Sequence, residues 1–389
     1  MLVVVVFAGG VAVKYISICS GIEAATVAWH GMGWQPLAFS EIEPFPSAVL
    51  GHHYPDVPNL GDMTDYLSWP EELLAECDLL VGGTPCQAFS VAGKRESLGD
   101  ERGNLSLVFC NLFHHINEIR RRHGRPPAIV VWENVPGVLS TKDNAFGCFL
   151  AGVMGLDEAV ETESGKWHKA GFLSGETVRV GYRIIDAQYF GVAQRRRRVF
   201  LVAVPSELVA SLGERACPSE ILSLRESVLG NPPARGTAWE AAPTLPARRT
   251  AGGGLGTDFD CDGGLIHPEL ANPLTARMGK GKGINTTCDE GQTPIVTGHP
   301  DPAYALSAGK HGAAIGNAGH KVAIQQAMQV RRLTPTECER LQGFPDRYTD
   351  VTCRNKSAAD GPRYKALGNS MAVPCMAWIG YRIEKATRH

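Results

Sequence analysis

A cysteine and a carboxylate each follow an apolar run in the first half of the chain, where packing alone does not explain them. Cys86 lies in the turn VGGTPCQAFS, between a proline and a glutamine, and Glu133 ends the run PAIVVWENV. A cysteine thiolate is a nucleophile, and nearby positive charge activates it by lowering the thiol pKa. A half-buried carboxyl group has a raised pKa and keeps a proton for donation. The pair therefore indicates covalent catalysis assisted by a proton donor.

Four arginines stand together in QRRRRVF, which begins at Gln194. Alternate residues of a strand face opposite sides, so Arg196 and Arg198 share one face, and Arg195 and Arg197 share the other. Four unpaired cations are unfavourable at the start of a strand, so we expect one face to point at the reactive site. A basic cluster by itself is more often a solvated surface, and that interpretation stays open for the other basic runs.

Acidic residues indicate a nucleoside-containing cofactor at the same edge of the predicted sheet. The turn ICSGIEAAT follows the first strand and has a single glycine, Gly21, so it is no dinucleotide fingerprint. A doubly wound sheet nevertheless holds such a cofactor at this turn, and an acid ending the second strand takes the ribose hydroxyls. Glu41 has that position, and Asp62 follows a third unit, where it can accept from an adenine amino group. Each acid alone is typical of a cap or a surface charge, but their shared register favours the cofactor site.

Short β-rich runs alternate with helical stretches from about residue 13 to residue 205. This pattern predicts an α/β fold with a doubly wound, Rossmann-like, mostly parallel sheet covered by helices. The candidate strands are VKYISIC, QPLAFS, CDLLVGG, PAIVVWENV, YRIIDA and RRVFLVAV. Candidate helices include EAATVAWHGMG from Glu23 and a longer segment from Asn104 whose apolar residues recur with a helical period. Cys86 is expected beyond a fourth strand unit, at the carboxyl edge where cofactor and nucleophile would meet.

The amino-acid composition of the chain changes after about Val204, and a domain boundary is expected near residue 206. The Gly-, Ala-, Pro- and Thr-rich stretch that follows, up to about residue 329, contains three related units, APTLPAR, ANPLTAR and AYALSAG. They predict a small, irregular, β-rich module, with a disordered linker as the alternative. In LTPTECERLQGFP, Thr334 is predicted to cap a helix that starts at Pro335, with Glu337 completing a capping box.

Composition limits the class of protein. The 389 residues are 44% apolar and can build a substantial core. The 11 cysteines include no C-x-x-C pair, which argues against a zinc ribbon or a disulfide framework, so no metal and a reduced, cytoplasmic setting are expected. The N-terminal MLVVVVFAGGVAV lacks a basic leader region and is too short for a membrane span, so we expect an extra strand or a start-site extension. The net charge of −2 gives no global sign of nucleic-acid binding.

Five segments resemble a known family: GGTPCQAFS, WENV, QRRRRVF, RRLTPTECERLQGFPD and YKALGNSMAVP. In this order they closely resemble the DNA (cytosine-5)-methyltransferases, over most of residues 13–205 and 329–380. The resemblance implies Cys86 as the nucleophile, Glu133 as the proton donor to the ring nitrogen, Arg198 as a contact to the cytosine carbonyl and Arg196 as its support. It also implies S-adenosyl-L-methionine as cofactor, bound by Cys19, Gly21, Ile22, Glu41, Ile42, Asp62, Met63, Leu105, Asn369 and Met371.

The same resemblance implies two domains and a duplex DNA partner. A catalytic domain would comprise residues 13–205 plus 362–389, and a target recognition domain residues 206–361, including a ninth motif at 331–346. DNA-binding candidates in its Gly-rich turns are Arg248, Arg249, Arg277, Lys280 and Lys282. They would read base edges, with phosphate contact as the alternative for each. A monomer without membrane association is expected, whereas the DNA motif and a cognate restriction endonuclease are not predicted.

This sequence departs from the family at its first motif. The family usually has an aromatic residue and Gly-Gly there, whereas this chain has Cys19 and then Glu23-Ala24; Ile42 stands where an aromatic residue often stacks on adenine. A weaker cofactor affinity is therefore expected. The segments CSGIEAAT and DAQYFGVAQRRRRVF look most like phage and prophage members.

Three alternatives stay open or are weakened by the sequence. A tRNA methyltransferase of the same family carries the same motifs, but usually a shorter region before the ninth motif. A thiol hydrolase needs a histidine base, and no pattern ties any of the 12 histidines to Cys86. A catalytically inactive DNA-binding relative is disfavoured, because Cys86, Glu133 and Arg198 are all present.

Overall fold

The computed structural model describes residues 12–85, 105–224 and 333–387. The N-terminal extension, the three related units and Cys86 therefore lie outside the described residues, as do the five DNA-binding candidates Arg248, Arg249, Arg277, Lys280 and Lys282. The expectations for them stay predictions.

The described residues form a seven-stranded sheet in the order β2-β1-β3-β4-β7-β6-β5. The strands are β1 (Lys14–Ile18), β2 (Gln35–Ser40), β3 (Leu79–Gly82), β4 (Ile129–Asn134), β5 (Ala170–Ser174), β6 (Val178–Asp186) and β7 (Arg197–Pro205). Strands β1 to β4 pair in parallel, and β7 pairs antiparallel with both β4 and β6. Five strands therefore run in one direction, which confirms the expected mostly parallel sheet.

Six of these strands were predicted, and two features differ from the prediction. β5 was missed because its short sequence AGFLS is half exposed and lacks an apolar run. The unit expected before Asp62 is not a strand: it makes a single bridge, between Phe39 and Asn59. Pro55 and Pro58 lack backbone N–H groups in this stretch, which prevents a longer ladder. The strand that precedes Cys86 is therefore the third in chain order and not the fourth.

Helices cover both faces of the sheet. They are α1 (Ala24–Trp29), α2 (Pro44–His53), α3 (Glu71–Ala75), α4 (Leu105–Arg122), α5 (Ala145–Met154), α6 (Ser206–Leu212), α7 (Pro218–Ile221), α8 (Pro335–Gln342), α9 (Asp360–Asn369) and α10 (Val373–Thr387). Short 3₁₀ helices span His30–Met32, Met63–Ser68, Pro136–Ser140, Ala187–Phe190 and Glu214–Ala216, and a small hairpin pairs β8 (Thr352–Cys353) with β9 (Lys356–Ser357). Both candidate helices are confirmed, and so is the capping box at Thr334. Within the described ranges, no helix is long and apolar enough to cross a membrane.

The alternation of side chains along each strand produces two cores. On β4, Val130 and Trp132 pack under α4 and α5, whereas Ile129 and Val131 pack under α1 and α10. The C-terminal helix closes the second core, because Trp29 on α1 donates its indole N–H to the Met376 carbonyl at 2.8 Å. The central strands are thus buried on both faces, and only their ends are free to carry polar chemistry.

The segments beyond the expected boundary near residue 206 continue to pack on this body. Val209 and Ile221, from α6 and α7, belong to the second core. Helices α8 and α9 form a third cluster against α1 and α2, in which Cys338 and Leu367 pack with Val49. The division into two domains stays a prediction.

Candidate active site

A cavity of about 990 Å³ opens at the carboxyl ends of β1, β2, β3 and β4. This is the edge of an open α/β sheet at which ligands bind. Nine of the ten predicted cofactor residues line it: Cys19, Gly21, Glu41, Ile42, Asp62, Met63, Leu105, Asn369 and Met371. The structure therefore brings together residues that are more than 300 positions apart in the sequence.

Ile22 is the exception among the predicted cofactor residues. Its side chain is fully buried in the third cluster, and its carbonyl accepts a hydrogen bond from the Tyr348 hydroxyl at 3.0 Å. It does not line the cavity. Its contacts with the third cluster instead hold the turn in place. A direct contact between Ile22 and a cofactor stays a prediction.

The first turn is held by Glu41. Its carboxylate accepts from the Gly21 N–H and from the Glu43 N–H, each at 2.7 Å. Burial raises the Glu41 pKa, and these backbone hydrogen bonds oppose the shift. Cys19, Gly21 and Glu23 all have positive φ angles, of 48°, 58° and 65°, so the turn is sharply bent around its own backbone N–H groups. Glu41, the predicted ribose-binding acid, is thus held in place by hydrogen bonds from the first turn.

The second acid lies across the cavity mouth. Asp62 caps the 3₁₀ helix Met63–Ser68 by accepting from the Thr64 N–H at 2.9 Å. The expectation of a helix cap is therefore confirmed, and within the described residues the second carboxylate oxygen of Asp62 forms no hydrogen bond. Beside it, the thiol of Cys19 is directed at the Met63 sulfur at 3.6 Å, and Ile42 is 68% exposed.

Glu133 and Arg198 form an ion pair at the end of β4. Arg198 Nε lies 3.0 Å from Glu133 Oε1, and both residues line the cavity. Burial raises the Glu133 pKa, while the charges of Arg198 and Arg196 lower it in opposition. The net shift is upward, as the sequence predicted for a proton donor. Backbone also approaches closely here, since a Cβ added to Gly83 would lie 3.1 Å from Glu133 Oε2.

Arg196 lies just before β7 and is placed differently from Arg198, although the sequence pattern predicts one face for both. Its guanidinium is 2% exposed and donates from Nη2 to the carbonyls of Gly368 and Ser370, at 2.9 and 2.7 Å. Burial, aided by the neighbouring Arg198, lowers its pKa to about 9. Because Asn369 and Met371 line the cavity, Arg196 stands behind the wall and ties the segment that forms it.

A polar network that the sequence analysis missed holds the residues just before Cys86. The Thr84 hydroxyl accepts from the Trp132 indole N–H at 3.0 Å and lies 2.9 Å from the Ser106 hydroxyl. The Thr84 carbonyl accepts from the Asn134 side-chain amide at 3.0 Å. Polar residues inside the run VVWEN were the available signal. The backbone that leads to Pro85 is therefore fixed from both β4 and α4.

The lining of the cavity is strongly acidic. Among the lining residues that the structure describes, six carry carboxyl groups and Arg198 alone carries a guanidinium; the acids are Glu23, Glu41, Glu43, Asp62, Asp65 and Glu133. Such a lining favours a ligand with positive charge. The described residues contain no cluster of three or more His, Cys, Asp or Glu side chains that could hold a metal ion.

The mostly parallel sheet, the acid after its second strand and the cavity at its carboxyl edge fit an S-adenosylmethionine-dependent methyltransferase. The chain belongs to the C-5 cytosine-specific DNA methylase family, whose family model matches residues 13–385. The resemblance drawn from the sequence motifs is thereby confirmed, and so are the expected cofactor and the class of enzyme.

Two relatives and one solved structure show how far the similarity reaches. The protein named DNA N-6-adenine-methyltransferase of Escherichia phage P1 is 38% identical over 472 residues, covering 96% of this chain and 61% of that protein. The chain thus spans about three-fifths of the length of that relative. Type II methyltransferase M2.BsuMI of Bacillus subtilis is 27% identical, covering 96% of this chain and 75% of that protein. The crystal structure of S. pombe Dnmt2 methyltransferase superposes with a TM-score of 0.51 at 15% identity, over 97% of this chain and 100% of that one, which shows the fold.

The residues present fit the cofactor. S-adenosylmethionine carries a sulfonium and an ammonium group, and the four lining carboxyl groups that form no ion pair within the described residues, Glu23, Glu41, Asp62 and Asp65, suit both charges. Glu41, held by the first turn, would take the ribose, and Asp62 has an oxygen free for the adenine amino group. A carboxylate oxygen of Glu23 is buried without a well-formed hydrogen bond in the described part of the chain, and a cationic N–H donor suits such an oxygen.

Proposed function

We propose that the chain transfers a methyl group from S-adenosylmethionine to carbon 5 of cytosine within a specific duplex DNA sequence. The observation that supports this most strongly is the Glu133–Arg198 pair, buried at the edge of the cofactor cavity. Carbon 5 of cytosine is not nucleophilic by itself. It becomes so when a nucleophile adds at carbon 6 and a proton reaches ring nitrogen 3, and Cys86 and Glu133 are the two groups this requires.

The chemistry balances with these two side chains. The Cys86 thiolate bonds to ring carbon 6 while Glu133 gives its proton to ring nitrogen 3, so an electron pair becomes available at carbon 5. S-adenosylmethionine supplies the electrophilic methyl group when bound. Glu133 then takes back the nitrogen proton, and loss of the carbon-5 proton to a base restores the ring double bond and expels Cys86 as thiolate.

The arginines have separate roles in this proposal. Arg198 contacts the cytosine carbonyl and keeps Glu133 oriented through their 3.0 Å ion pair. Arg196 acts from behind the wall, through the carbonyls of Gly368 and Ser370. A stacked base cannot reach such a cavity, so the target cytosine is flipped out of the duplex.

Sequence selection is assigned to the region between residues 206 and 329, and the enzyme acts as a cytoplasmic monomer. Arg248, Arg249, Arg277, Lys280 and Lys282 are the proposed DNA contacts. Arginine paired with guanine in the major groove is the commonest specific contact. The length of this region favours DNA over tRNA as the substrate.

The name of the phage P1 relative raises a second candidate, methyl transfer to the amino group of adenine. An exocyclic amine carries its own nucleophilic lone pair and needs neither a thiol adduct nor a proton donor to the ring. The buried Glu133–Arg198 pair has no task in that reaction. Cytosine C5 is therefore favoured for the residues of this chain.

Transfer of a labelled methyl group tests the substrate directly. The full chain is incubated with labelled S-adenosylmethionine and with duplex DNA or tRNA, and the products are digested to nucleosides and separated. Label in 5-methylcytosine from DNA is expected. Label in N6-methyladenine would establish the second candidate, and label in tRNA alone would overturn the DNA assignment.

The nucleophile is tested with the variant Cys86→Ser. It should lose turnover and keep cofactor and DNA binding, because only the nucleophile is weakened. DNA containing 5-fluorocytosine should form a denaturation-resistant adduct with the wild type and none with the variant, since fluorine cannot leave as a cation. Substantial methyl transfer by the variant would exclude Cys86 as nucleophile.

The recognition region is tested by exchange. Residues 206–329 are replaced with the same region of a relative of different specificity, and DNA methylated in vitro is sequenced after bisulfite treatment. The methylated motif should switch with the segment. A motif that stayed with the catalytic half would exclude the segment as reader.

A further inference from the structure

Glu23 occupies the cavity wall at a position where the family usually has glycine. Its φ of 65° lies in the left-handed region, which is unfavourable for a residue with a Cβ atom. Its side chain is also buried, with only 1% of the residue exposed. A backbone outlier and a buried charge at one position of a ligand cavity point to a function that offsets both costs.

In the described part of the chain, one oxygen of the Glu23 carboxylate accepts well-formed hydrogen bonds. Oε1 accepts from the Thr26 N–H at 3.1 Å and from the Thr26 hydroxyl at 3.0 Å, which caps α1. Oε2 is buried and has no well-formed hydrogen bond within the described ranges. Burial raises the Glu23 pKa to about 7, and hydrogen bonding of the carboxylate with the Ser17 and Thr26 hydroxyls and the Thr26 N–H opposes the rise. The Ser17 contact falls outside good hydrogen-bond geometry, so it satisfies Oε2 only weakly.

The surroundings of Glu23 offer it no cation. Tyr15 from β1, Tyr54 after α2 and Tyr348 after α8 lie near it; burial raises the pKa of each of these phenols, and the Glu23 charge adds to the rise. The Glu41 carboxylate adds further negative charge. In the part of the chain that the structure describes, no Lys, Arg or His side chain forms an ion pair with Glu23. A positive group must therefore come from the cavity if Glu23 is to be ionised at low cost.

We propose that Glu23 is a further cofactor-binding residue, whose free carboxylate oxygen holds the α-ammonium group of S-adenosylmethionine. This inference rests on the proposed function. The ammonium group fits because it brings N–H donors together with its charge, whereas the sulfonium has no N–H to offer. Glu41 accepts from Gly21, two residues before Glu23, so both carboxylates serve the same turn of the chain.

Proton release on binding provides a test that needs no variant. Below pH 7 a large share of Glu23 is protonated in the free protein, and an ammonium partner would displace that proton. At pH 6.5, calorimetry in two buffers of different ionisation enthalpy should show net proton release when S-adenosylmethionine binds. 5′-Methylthioadenosine, which lacks the amino-acid part, should release almost none. Equal proton release with both compounds would overturn the proposal.

The variant Glu23→Gln separates a ligand role from a capping role, because glutamine keeps the acceptor for Thr26 and removes the charge. S-adenosylmethionine and S-adenosylhomocysteine should bind roughly 10- to 100-fold more weakly to it, the range for a charged hydrogen bond. Binding of 5′-methylthioadenosine should be unchanged. Equal weakening of all three compounds would show that Glu23 only shapes the turn.

A matched control comes from the same cavity. Glu43 also lines it, but its carboxylate is already paired with the Lys365 ammonium at 2.6 and 2.7 Å. Glu43→Gln should change cofactor affinity by less than about threefold, as for an exposed ion pair. If wild type and Glu23→Gln bound S-adenosylmethionine equally well, the role of Glu23 would be refuted and the proposed function would not. No binding of S-adenosylmethionine by the wild type would instead refute the proposed function.

Discussion

Arg198 Nε lies 3.0 Å from Glu133 Oε1, and the two side chains reach each other across the antiparallel pair β4–β7. Both are largely buried, with 13% and 9% of their side chains exposed. Burial alone would make Glu133 a neutral acid, and the guanidinium alone would keep it ionised. Because the two effects oppose each other, the carboxyl group is poised to give up a proton and to take it back.

Glu133→Gln tests this balance. The amide keeps the size of the side chain and cannot transfer a proton, so methyl transfer should fall by roughly 10²- to 10⁴-fold. Cofactor affinity, measured by calorimetry, should stay within about twofold, because Glu133 is proposed to act on the base. A collapse of cofactor affinity would show that Glu133 is a cofactor ligand. Glu214→Gln is the matched control, since Glu214 is exposed and, among the described residues, pairs with Arg179 on the sheet surface.

Gly83→Ala should remove activity by filling the space beside Glu133. The added Cβ would lie 3.1 Å from Glu133 Oε2 and 3.3 Å from the Met371 methyl group. We expect turnover to fall more than tenfold, as for a small misplacement near the chemistry. Gly31→Ala, in open space, should leave turnover unchanged. Equal activity of the two variants in a methyl-transfer assay would mean that this space is not used by the substrate.

Much of the site followed from the sequence, because a parallel sheet collects the ends of its strands at one edge. Glu41 and Glu133 were placed by this rule, whereas the unit expected before Asp62 is not a strand; the structure still puts all three acids around one cavity. The rule concerns backbone topology, so it works without knowledge of side-chain contacts.

The contacts between individual side chains could not be predicted from the sequence by this rule. The contacts of Thr84 with Trp132 and Asn134 join residues about 50 positions apart, and the polar residues of VVWEN do not reveal which partner they bind. Arg196 and Arg198 share a face in the alternation pattern, yet one ties backbone carbonyls and the other pairs with Glu133. These different contacts depend on which loops pack beside the strand. The packing of the loops cannot be predicted from the alternation pattern of the strand.

The two arginines should therefore fail in different ways when each is changed to methionine. Arg196→Met leaves the carbonyls of Gly368 and Ser370 without a donor, so the segment with Asn369 should loosen and cofactor affinity should fall roughly tenfold. Arg198→Met should keep cofactor affinity and lose turnover. Calorimetry and methyl-transfer rates measured side by side decide this, and identical profiles for the two variants would contradict the assignment of separate roles.

Thr334→Ala should lower stability through the loss of a helix cap. Thr334 Oγ1 accepts from the Glu337 N–H at 3.3 Å, and the Glu337 carboxylate accepts from the Thr334 N–H at 2.7 Å. Loss of such a cap costs about 1 kcal/mol. Urea unfolding should show this decrease in the free energy of unfolding, and Thr334→Ser should retain most of the wild-type stability. A stability unchanged in the alanine variant would mean that packing of Pro335 and Cys338 holds the helix without the cap.

The pH dependence of stability should carry the signature of Glu23. Its pKa rises from the ordinary 4.5 to about 7 on folding, so ionisation is unfavourable in the folded state. The stability contribution of the neutral group is fully present below about pH 4.5 and is lost as the pH rises through 7. By the shift of the pKa, the loss amounts to about 3 kcal/mol of unfolding free energy. Glu23→Gln cannot ionise, so without cofactor it should gain stability relative to the wild type between pH 5 and pH 8. Unfolding by urea at these two pH values measures the difference, and a difference independent of pH would show that Glu23 is not protonated in the folded protein.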